Sequence, residues 1–201
     1  NSNGQLGNDT TAAKFTPVGV SGLSNEAAVI VTGGWQTCAL MTGGDVKCWG
    51  DNAYGQLGDE TTENRSTPVN VSGLTDDVAS LAAGYWHTCA RTAGGAAKCW
   101  GYNTDGELGD GTTVEKTTPV DVIGLSSDVS VISAGNWHTC AITTGGGAKC
   151  WGYNYDGQLG NGTPSDYEST PVNVSGLISG VTAIAAGGDH SCVITTGGKA
   201  Q

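Results

Sequence analysis

The sequence is poor in the large apolar residues and helix formers that build helical cores. Its 201 residues include one Phe and one Met, but 34 are Gly. Gly combined with abundant Thr and Val favours short strands joined by tight turns. No stretch of the sequence approaches the roughly 20 apolar residues of a membrane span. We therefore expect a β-rich chain that does not insert into a membrane.

Basic side chains are also scarce, with 8 Lys and Arg against 19 Asp and Glu and a net charge of −11. Such a chain is repelled by phosphate backbones and by anionic lipid leaflets. We therefore expect no nucleic-acid partner. The sequence also carries no nucleophile–base set, metal constellation, phosphate loop or cofactor fingerprint. It is accordingly predicted to be no enzyme and to need no cofactor.

What the sequence does contain is one unit repeated about every 51 residues. A Cys preceded by Thr or Ser recurs at Cys38, Cys89, Cys140 and Cys192. Lys-Cys-Trp-Gly occurs at 47–50, 98–101 and 149–152, and Gly-Gln/Glu-Leu-Gly begins at Gly4, Gly55, Gly106 and Gly157. Self-similarity at this period is typical of a repeat architecture.

Each repeat holds four apolar runs of about five residues, separated by Gly-rich or polar turns. Four strands per repeat of about fifty residues is typical of a propeller blade. We predict an all-β chain of β-propeller blades, each of four antiparallel strands, in a single repeat domain spanning 1–201. The expected blade-equivalents, about four in total, are 1–26 (partial), 27–74, 75–125, 126–177 and 178–201 (partial). Both partial units stop in mid-repeat, so we expect this chain to form part of a larger ring or assembly.

The segment Trp-Gly-Asp-Asn-Ala-Tyr-Gly-Gln-Leu-Gly at 49–58 resembles the repeat of the regulator of chromosome condensation family. It recurs at 151–160, and at 100–109 with Glu107 in place of Gln. The resemblance implies a β-propeller, typically of seven blades, that serves as a protein-binding scaffold. The repeated cysteines look most like those of secreted or surface bacterial members.

The cysteines fall in pairs ten positions apart across a predicted hairpin turn. Residues so spaced face each other, and opposed Cβ atoms at a non-hydrogen-bonded position come close enough for a disulfide. We predict three disulfides within blades and one unpaired cysteine, Cys192: Cys38–Cys48, Cys89–Cys99 and Cys140–Cys150. An alternative links neighbouring blades and leaves Cys38 odd: Cys48–Cys89, Cys99–Cys140 and Cys150–Cys192. Heavy cysteine usage indicates an oxidising compartment, so we expect a secreted or cell-surface location.

His87, His138 and His190 share one repeat position, which Gln36 occupies in the remaining repeat. Exchange of His for Gln favours a repeated structural hydrogen bond over a metal-binding ring of imidazoles. No metal is therefore predicted.

The six tryptophans also fall in register. We expect all of them to pack between blades. Trp35, Trp86 and Trp137 stand where a loop meets a strand, so the alternative for these three is an exposed sugar- or protein-binding platform.

The repeats differ most in the loops near 59–66, 110–117 and 161–169, where partner specificity is expected. The candidate partner-binding residues are Glu60, Asn64, Arg65, Val114, Glu115, Lys116, Asp166, Tyr167 and Glu168. The Asp and Asn of these loops faintly resemble a calcium loop but are also ordinary turn residues.

The pattern as a whole favours a noncatalytic extracellular scaffold that binds a protein or a glycan through its blade loops. The alternative is a self-assembling structural protein, a ring or filament subunit joined to further copies of itself through its mid-blade termini. An enzyme on a propeller is a third hypothesis, based only on the polar group Asp166, Tyr167 and Glu168, which lies outside the repeat.

Overall fold

The computed structural model describes residues 1–23, 27–74 and 78–201, and within these ranges the regular structure consists of strands without any helix. The strands are β1 (Ala27–Thr32), β2 (Gln36–Met41), β3 (Val46–Gly50), β4 (Arg65–Asn70), β5 (Val78–Ala83), β6 (His87–Thr92), β7 (Ala97–Gly101), β8 (Lys116–Asp121), β9 (Val129–Ala134), β10 (His138–Thr143), β11 (Ala148–Tyr153), β12 (Tyr167–Asn173), β13 (Val181–Ala186) and β14 (Ser191–Thr195). In this part of the chain, nothing helical has the length and apolar character needed to cross a bilayer.

The strands form consecutive antiparallel sheets in which each strand pairs with the next along the chain. Strands β1–β4, β5–β8 and β9–β12 make three four-stranded sheets, and β13 and β14 form a two-stranded one. These sheets are the predicted blades. The boundaries expected after residues 26 and 74 adjoin residues 24–26 and 75–77, which lie outside the described residues, so the exact division into blades stays a prediction.

The first strand of each blade lies beside the first strand of the next. Strand β5 contacts both β1 and β9, and β9 contacts β13. The loops that follow these strands are also joined, since the amide of Gly34 donates to the carbonyl of Gly84 at 3.3 Å and that of Tyr85 to Asn136 at 3.3 Å. A Cβ on Gly84 would lie 2.5 Å from the carbonyl oxygen of Gly135, so this close approach requires glycine. The blades therefore fan out around an axis lined by β1, β5, β9 and β13.

Adjacent blades are joined by a carbonyl that accepts two hydrogen bonds from the next blade. The carbonyl of Gln56 accepts the indole Nε1–H of Trp100 at 3.0 Å and the hydroxyl of Thr88 at 3.0 Å. In the same way, Trp49 and Thr37 donate to the carbonyl of Gln5. Trp151 and Thr139 donate to the carbonyl of Glu107. Trp49, Trp100 and Trp151 are fully buried in these junctions, as predicted.

The loop that supplies this carbonyl is shaped by the Asn of the Trp-Gly-x-Asn motif. Asn103 accepts the amide of Leu108 at 2.9 Å through Oδ1 and donates through Nδ2 to the carbonyls of Thr112 and Val114, each at 3.1 Å. Leu108 is thereby held at full burial between blades. Because one side chain satisfies backbone groups on both arms of the loop, the loop holds its shape without regular secondary structure.

The disulfides lie within blades, between the second and third strands. Cys38–Cys48, Cys89–Cys99 and Cys140–Cys150 occupy directly opposed positions, each with its Cα atoms 4.1 Å apart. Among the described cysteines, Cys192 alone is free, and it is exposed. The alternative prediction of disulfides between neighbouring blades is therefore wrong.

The blade junction leads to a stability prediction at Gly109. This glycine has φ +68°, and an added Cβ would lie 2.8 Å from Nε1 of Trp151. Gly109→Ala is therefore expected to lower the free energy of unfolding by about 1–2 kcal/mol for the left-handed backbone and by a further ~1–3 kcal/mol for overpacking. Urea denaturation followed by tryptophan fluorescence measures the loss.

Gly124→Ala is the matched control, because Gly124 has φ +72° and open space around its Cβ position. It should show the backbone cost alone. Equal losses in the two variants would contradict a tight junction at Trp151.

Candidate binding face

The loops after the first and third strands of each blade emerge at the same end of the propeller, because successive strands are antiparallel. These loops carry the residues that differ between repeats. Six of the aromatic residues on these loops make up what we call the aromatic face: Trp35, Tyr54, Tyr85, Trp86, Tyr102 and Trp137.

The rings of the aromatic face contact one another across blades. Trp86 lies at the centre, with its ring centroid 5.0 Å from that of Trp137, 5.1 Å from Tyr54 and 5.6 Å from Tyr102. Tyr85 stacks on Trp137 at 5.6 Å and accepts the indole Nε1–H of Trp35 at 3.1 Å. Edge-to-face and offset contacts at these distances are favourable, so the rings form one continuous surface.

This surface is open to solvent. The side chain of Trp35 is 40% exposed, and Trp86 and Trp137 are only partly buried, whereas Trp100 and Trp151 are 0% exposed. The expectation that every tryptophan simply packs between blades is therefore wrong for Trp35, Trp86 and Trp137. These three indoles contact aromatic rings of neighbouring blades and also remain accessible.

A buried carboxyl lies among the loops of this face. Glu107 is 0% exposed, and its Oε2 accepts the amide of Asp105 at 3.0 Å, whereas Oε1 finds no partner in the described part of the chain. Burial raises the pKa of Glu107 to about 8. The corresponding residues of the other repeats are Gln5, Gln56 and Gln158.

The histidines form structural hydrogen bonds between blades. His87 Nε2 lies 2.9 Å from the hydroxyl of Thr139, which itself donates its proton to the carbonyl of Glu107. Nε2 must therefore carry the proton of the neutral ring. His138 makes the corresponding bond to Ser191 at 2.9 Å. Burial lowers the pKa of His87 to about 3, with a smaller contribution from the charge of His138, and that of His138 to about 4.

Gln36, at the same repeat position, donates to the carbonyls of Gly84 and His87, each at 3.2 Å. The described residues contain no group of three or more His, Cys, Asp or Glu side chains placed to hold a metal ion.

The predicted partner-binding residues lie on the loops between third and fourth strands or at the start of the fourth strand. The basic ones are engaged by nearby acids: Arg65 pairs with Asp59 at 2.9 Å, and Lys116 pairs with Asp110 at 3.3 Å. Asn64 accepts the amide of Asn52 at 2.8 Å. The remaining candidates reach solvent in whole or in part: Glu60, Val114, Glu115, Asp166, Tyr167 and Glu168. Their role in partner binding stays a prediction.

Sequence reasoning missed the tyrosines of the face. Tyr54 and Tyr102 lie in the loop that follows Trp-Gly, and Tyr85 directly precedes Trp86. An aromatic residue in the same loop of successive repeats, beside a tryptophan at a loop-to-strand junction, is the signal that could have identified them.

Comparison with known proteins gives a consistent family. The profile described as "Regulator of chromosome condensation (RCC1) repeat" matches residues 1–41, 43–91, 99–142 and 150–194. The chain is 30% identical over 190 residues to the ultraviolet-B receptor UVR8 of Arabidopsis thaliana, covering 93% of this chain and 42% of the receptor. It is 33% identical over 199 residues to the human E3 ubiquitin-protein ligase HERC2, covering 96% of this chain and 4% of the ligase.

Among solved structures, Prp20p from Saccharomyces cerevisiae, described with its binding properties to Gsp1p and histones, aligns with a TM-score of 0.75 at 20% identity. That alignment covers 84% of this chain and 43% of Prp20p, and at this identity it shows the fold alone. The chain thus spans less than half the length of each of these proteins. They come from a plant, a human and a yeast, and the likeness to secreted bacterial members stays a prediction.

The buried carboxyl predicts a pH-dependent stability. The folded state holds a proton on Glu107 that the unfolded chain releases above its ordinary pKa of 4.5. The contribution of Glu107 to stability therefore falls as the pH rises from 4.5 to about 8, by up to about 1.4 kcal/mol per pH unit. Glu107→Gln, which restores the residue of the other repeats, should remove the decline in thermal midpoint between pH 6.5 and pH 8, a range in which the buried histidines no longer oppose it.

Gln158→Glu is the matched control, because it places a carboxyl at the corresponding buried position, where Gln158 is 4% exposed. It should introduce a second decline over a similar range. A Glu107→Gln variant that keeps the slope of the parent chain would show that Glu107 ionises freely in the folded state.

The buried imidazoles predict the opposite trend at lower pH. In the unfolded chain His87 takes up a proton below the ordinary histidine pKa of 6.5. In the folded state it stays neutral down to about pH 3, because burial lowers its pKa. Stability is thus lost as the pH falls below 6.5, by up to about 1.4 kcal/mol per pH unit for this group. In the Glu107→Gln background, His87→Gln should reduce the slope of the thermal midpoint between pH 6.5 and 4, and the contribution of His138 should remain. His190→Gln, which alters an exposed ring, is the control and should leave the slope in place.

Proposed function

Because the chain belongs to the regulator of chromosome condensation (RCC1) repeat family, we propose that it is a noncatalytic scaffold that binds a protein partner through its aromatic face. The loops beside this face supply the specificity. The proposal extends the protein-binding role expected of the family to one end of this propeller.

The observation that carries the proposal is the continuous aromatic surface around Trp86. Tyr and Trp are enriched in protein interfaces and account for many residues whose truncation weakens binding strongly. Their rings offer large contact areas while losing few rotamers on binding. Six rings held in contact with one another are already ordered, so a partner meets a preorganised surface.

The charge of the chain favours partners that are neutral or basic at the contacting surface. The net charge is −11, and the two basic residues of the described variable loops, Arg65 and Lys116, are paired with acids of the same loops. Complementary charge raises association rates and excludes acidic competitors. Prp20p, whose description includes binding to Gsp1p and histones, supports the use of this scaffold for protein recognition.

The buried histidines support a noncatalytic role. Nε2 of His87 is committed to Thr139, and Nδ1 is buried without a hydrogen-bond partner among the described atoms. A general base must reach a substrate proton at hydrogen-bond distance, which neither ring nitrogen of His87 can do here. The ligase activity of HERC2 is not carried over, because the match covers 4% of that protein.

The three disulfides support a secreted or cell-surface location. Disulfides persist in oxidising compartments and are rare in the cytosol. A glycan is the second candidate ligand, favoured by the exposed indole of Trp35, whose apolar face can pack on a sugar ring.

Self-assembly into rings or filaments is a further candidate. It is favoured by exposed apolar side chains on the first and last sheets, among them Ile30 at 59% and Ile194 at 46%. Light scattering after size exclusion tests it, because a monomer at high concentration excludes assembly.

The face is tested by site-directed photo-crosslinking in extracts of the source organism. A photoreactive amino acid at Trp35 should capture the partner, whereas one at Ile178, which is 76% exposed at the opposite end of the blades, should not. With the captured protein purified, Trp86→Ala should weaken the Kd at least tenfold, about 1.4 kcal/mol. Ile178→Ala should leave the Kd unchanged.

Capture only from position 178, or an unchanged Kd for Trp86→Ala, would rule out the aromatic face as the binding surface. A glycan array probed with the parent chain, Trp35→Ala and Ile178→Ala tests the second candidate. Sugar binding that is lost in Trp35→Ala without any protein partner would favour the glycan.

A further inference from the structure

The loops after the third strands bring two repeat positions together across each blade junction. They are the residue after Trp-Gly in one blade and, from the preceding blade, the residue three places further along its own loop. At the junction of the first two four-stranded sheets these residues are Tyr102 and Tyr54, whose ring centroids are 5.0 Å apart. At the next junction they are Tyr153 and Asp105. An acidic residue thus stands where the aromatic face would otherwise continue with a ring.

The carboxylate of Asp105 lies close to the tyrosines on both sides of it. Burial raises the pKa of Tyr102, and the charges of Glu107 and Asp105 raise it further. Burial, followed by the charges of Asp156 and Asp105, acts in the same direction on the pKa of Tyr153. Asp105 therefore lies between these two phenols, at the edge of the aromatic face.

Trp137 lies between the same two tyrosines. Its ring centroid is 5.7 Å from that of Tyr102, and its carbonyl accepts the backbone amide of Tyr153 at 2.9 Å. All three rings are partly open to solvent. We call this part of the molecule the Asp105 corner: Tyr102, Asp105, Trp137 and Tyr153. One ligand group can contact aromatic rings and a carboxylate here at the same time.

The carboxylate of Asp105 has no partner within the part of the chain that the structure describes. Asp105 is half-buried, burial alone raises the pKa of its carboxyl, and none of the ion pairs there includes it. By contrast, the carboxylate at the first junction, Asp51, accepts the side-chain amides of Gln56 at 2.6 Å and Asn3 at 3.1 Å. Asp105 thus keeps its full capacity to accept hydrogen bonds and to pair with a cation.

A second carboxyl beside the corner also lacks a donor. Glu107 is 0% exposed, and its Oε2 accepts the amide of Asp105 at 3.0 Å, whereas its Oε1 has no partner among the described residues. These residues include no group of three or more His, Cys, Asp or Glu side chains that could hold a metal ion. The unpaired acceptors therefore favour an organic cation over a metal ion.

A protein that covers the aromatic face also covers Asp105. Removing an unpaired carboxylate from water is unfavourable unless a cation accompanies it. The guanidinium of arginine suits this position best, because it is planar, weakly hydrated, stacks on aromatic rings and pairs with carboxylates through two parallel hydrogen bonds. The ammonium of lysine is more strongly hydrated and lacks the planar fork.

We propose, as an extension of the proposed function, that the Asp105 corner binds an arginine side chain from a basic segment of the partner protein. The guanidinium packs against Tyr102 and Trp137 and pairs with the carboxylate of Asp105. Asp156 and Asp189, which are exposed beside the corner, attract the basic segment and speed its association.

A second copy of this chain is a poor source of that arginine. The sequence contains two arginines, Arg65 and Arg91. Arg65 pairs with Asp59 at 2.9 Å. Arg91 lies near the end of β6, away from the aromatic face, and its Nε is buried. The occupant is therefore a different protein.

The test selects peptides from a random display library on the intact protein. Arginine should be enriched in the peptides selected on the parent chain but not in those selected on Asp105→Asn. Asp45→Asn is the matched control, because it removes the same charge from an exposed position in the turn between β2 and β3, at the opposite end of the blade. It should enrich arginine as the parent does.

A selected peptide is then compared with the same peptide carrying citrulline, the neutral isostere of arginine. By calorimetry, the arginine peptide should bind the parent chain about tenfold more tightly or better. Asp105→Asn should bind the two peptides about equally, and Trp86→Ala should weaken the binding of both.

The outcomes separate this inference from the proposed function. Peptides that require Trp86 but bind the parent chain equally with arginine or citrulline would overturn the arginine site and leave the aromatic face as the binding surface. Selection of lysine in place of arginine, with the same dependence on Asp105, would overturn the assignment to arginine. Peptides whose Kd is unchanged by Trp86→Ala would contradict the aromatic face itself, and the arginine site with it.

Discussion

The structure depends on one backbone carbonyl per junction, the oxygen of the Gln or Glu in the Gly-Gln/Glu-Leu-Gly loop. It accepts an indole N–H and a hydroxyl from the next blade, as at Gln56, where both bonds are 3.0 Å. Both donors are buried, so leaving either one unpaired would cost about 1–3 kcal/mol. The tryptophan must therefore come within hydrogen-bond distance of the loop in the adjacent blade, and this requirement sets the spacing between the two blades. The glycines, the buried leucine and the loop-shaping asparagine all serve to place this oxygen.

The same constraint explains why most apparent functional residues turn out to be structural. His87 completes the junction by donating to the hydroxyl that binds the carbonyl, and the cysteines fix the hairpin that carries both the tryptophan and the threonine. A repeat presents the same neighbours each time, so residues in register acquire the same structural role. Function is then expected where register is broken or where side chains leave the junction, as the indoles of the aromatic face do.

Much of this could be predicted from the sequence because the determinants are local. Four short apolar runs per repeat and a ten-residue cysteine spacing predict the blade and favour disulfides within it through hairpin geometry, and Cys89 opposite Cys99 confirms this pairing over the inter-blade alternative. The direction of Trp86 could not be predicted in this way. Trp86 and Trp100 occur in the same repeat, but only the packing of adjacent blades makes one partly exposed and the other fully buried. The burial of Glu107 was hidden for the same reason, since its position tolerates Gln and Glu alike in the sequence.

The residue after Trp-Gly shows where the chain departs from the most stable arrangement. In the first blade Asp51 accepts the side-chain amide of Gln56 at 2.6 Å, which satisfies both groups. In the second blade that position is Tyr102, and Glu107 stands in place of the glutamine, with its Oε1 buried and without a partner among the described residues. In the third blade the position is Tyr153, and within the same described part of the chain Gln158 Nε2 is buried and unpaired. Each tyrosine is thus present where a buried polar pair has been lost, and Tyr102 contacts both Trp86 and Trp137. Departures from local consistency of this kind concentrate at functional sites. The loss of the Asp51-type pair at Tyr102 therefore supports, independently of exposure, the proposal that the aromatic face binds a partner.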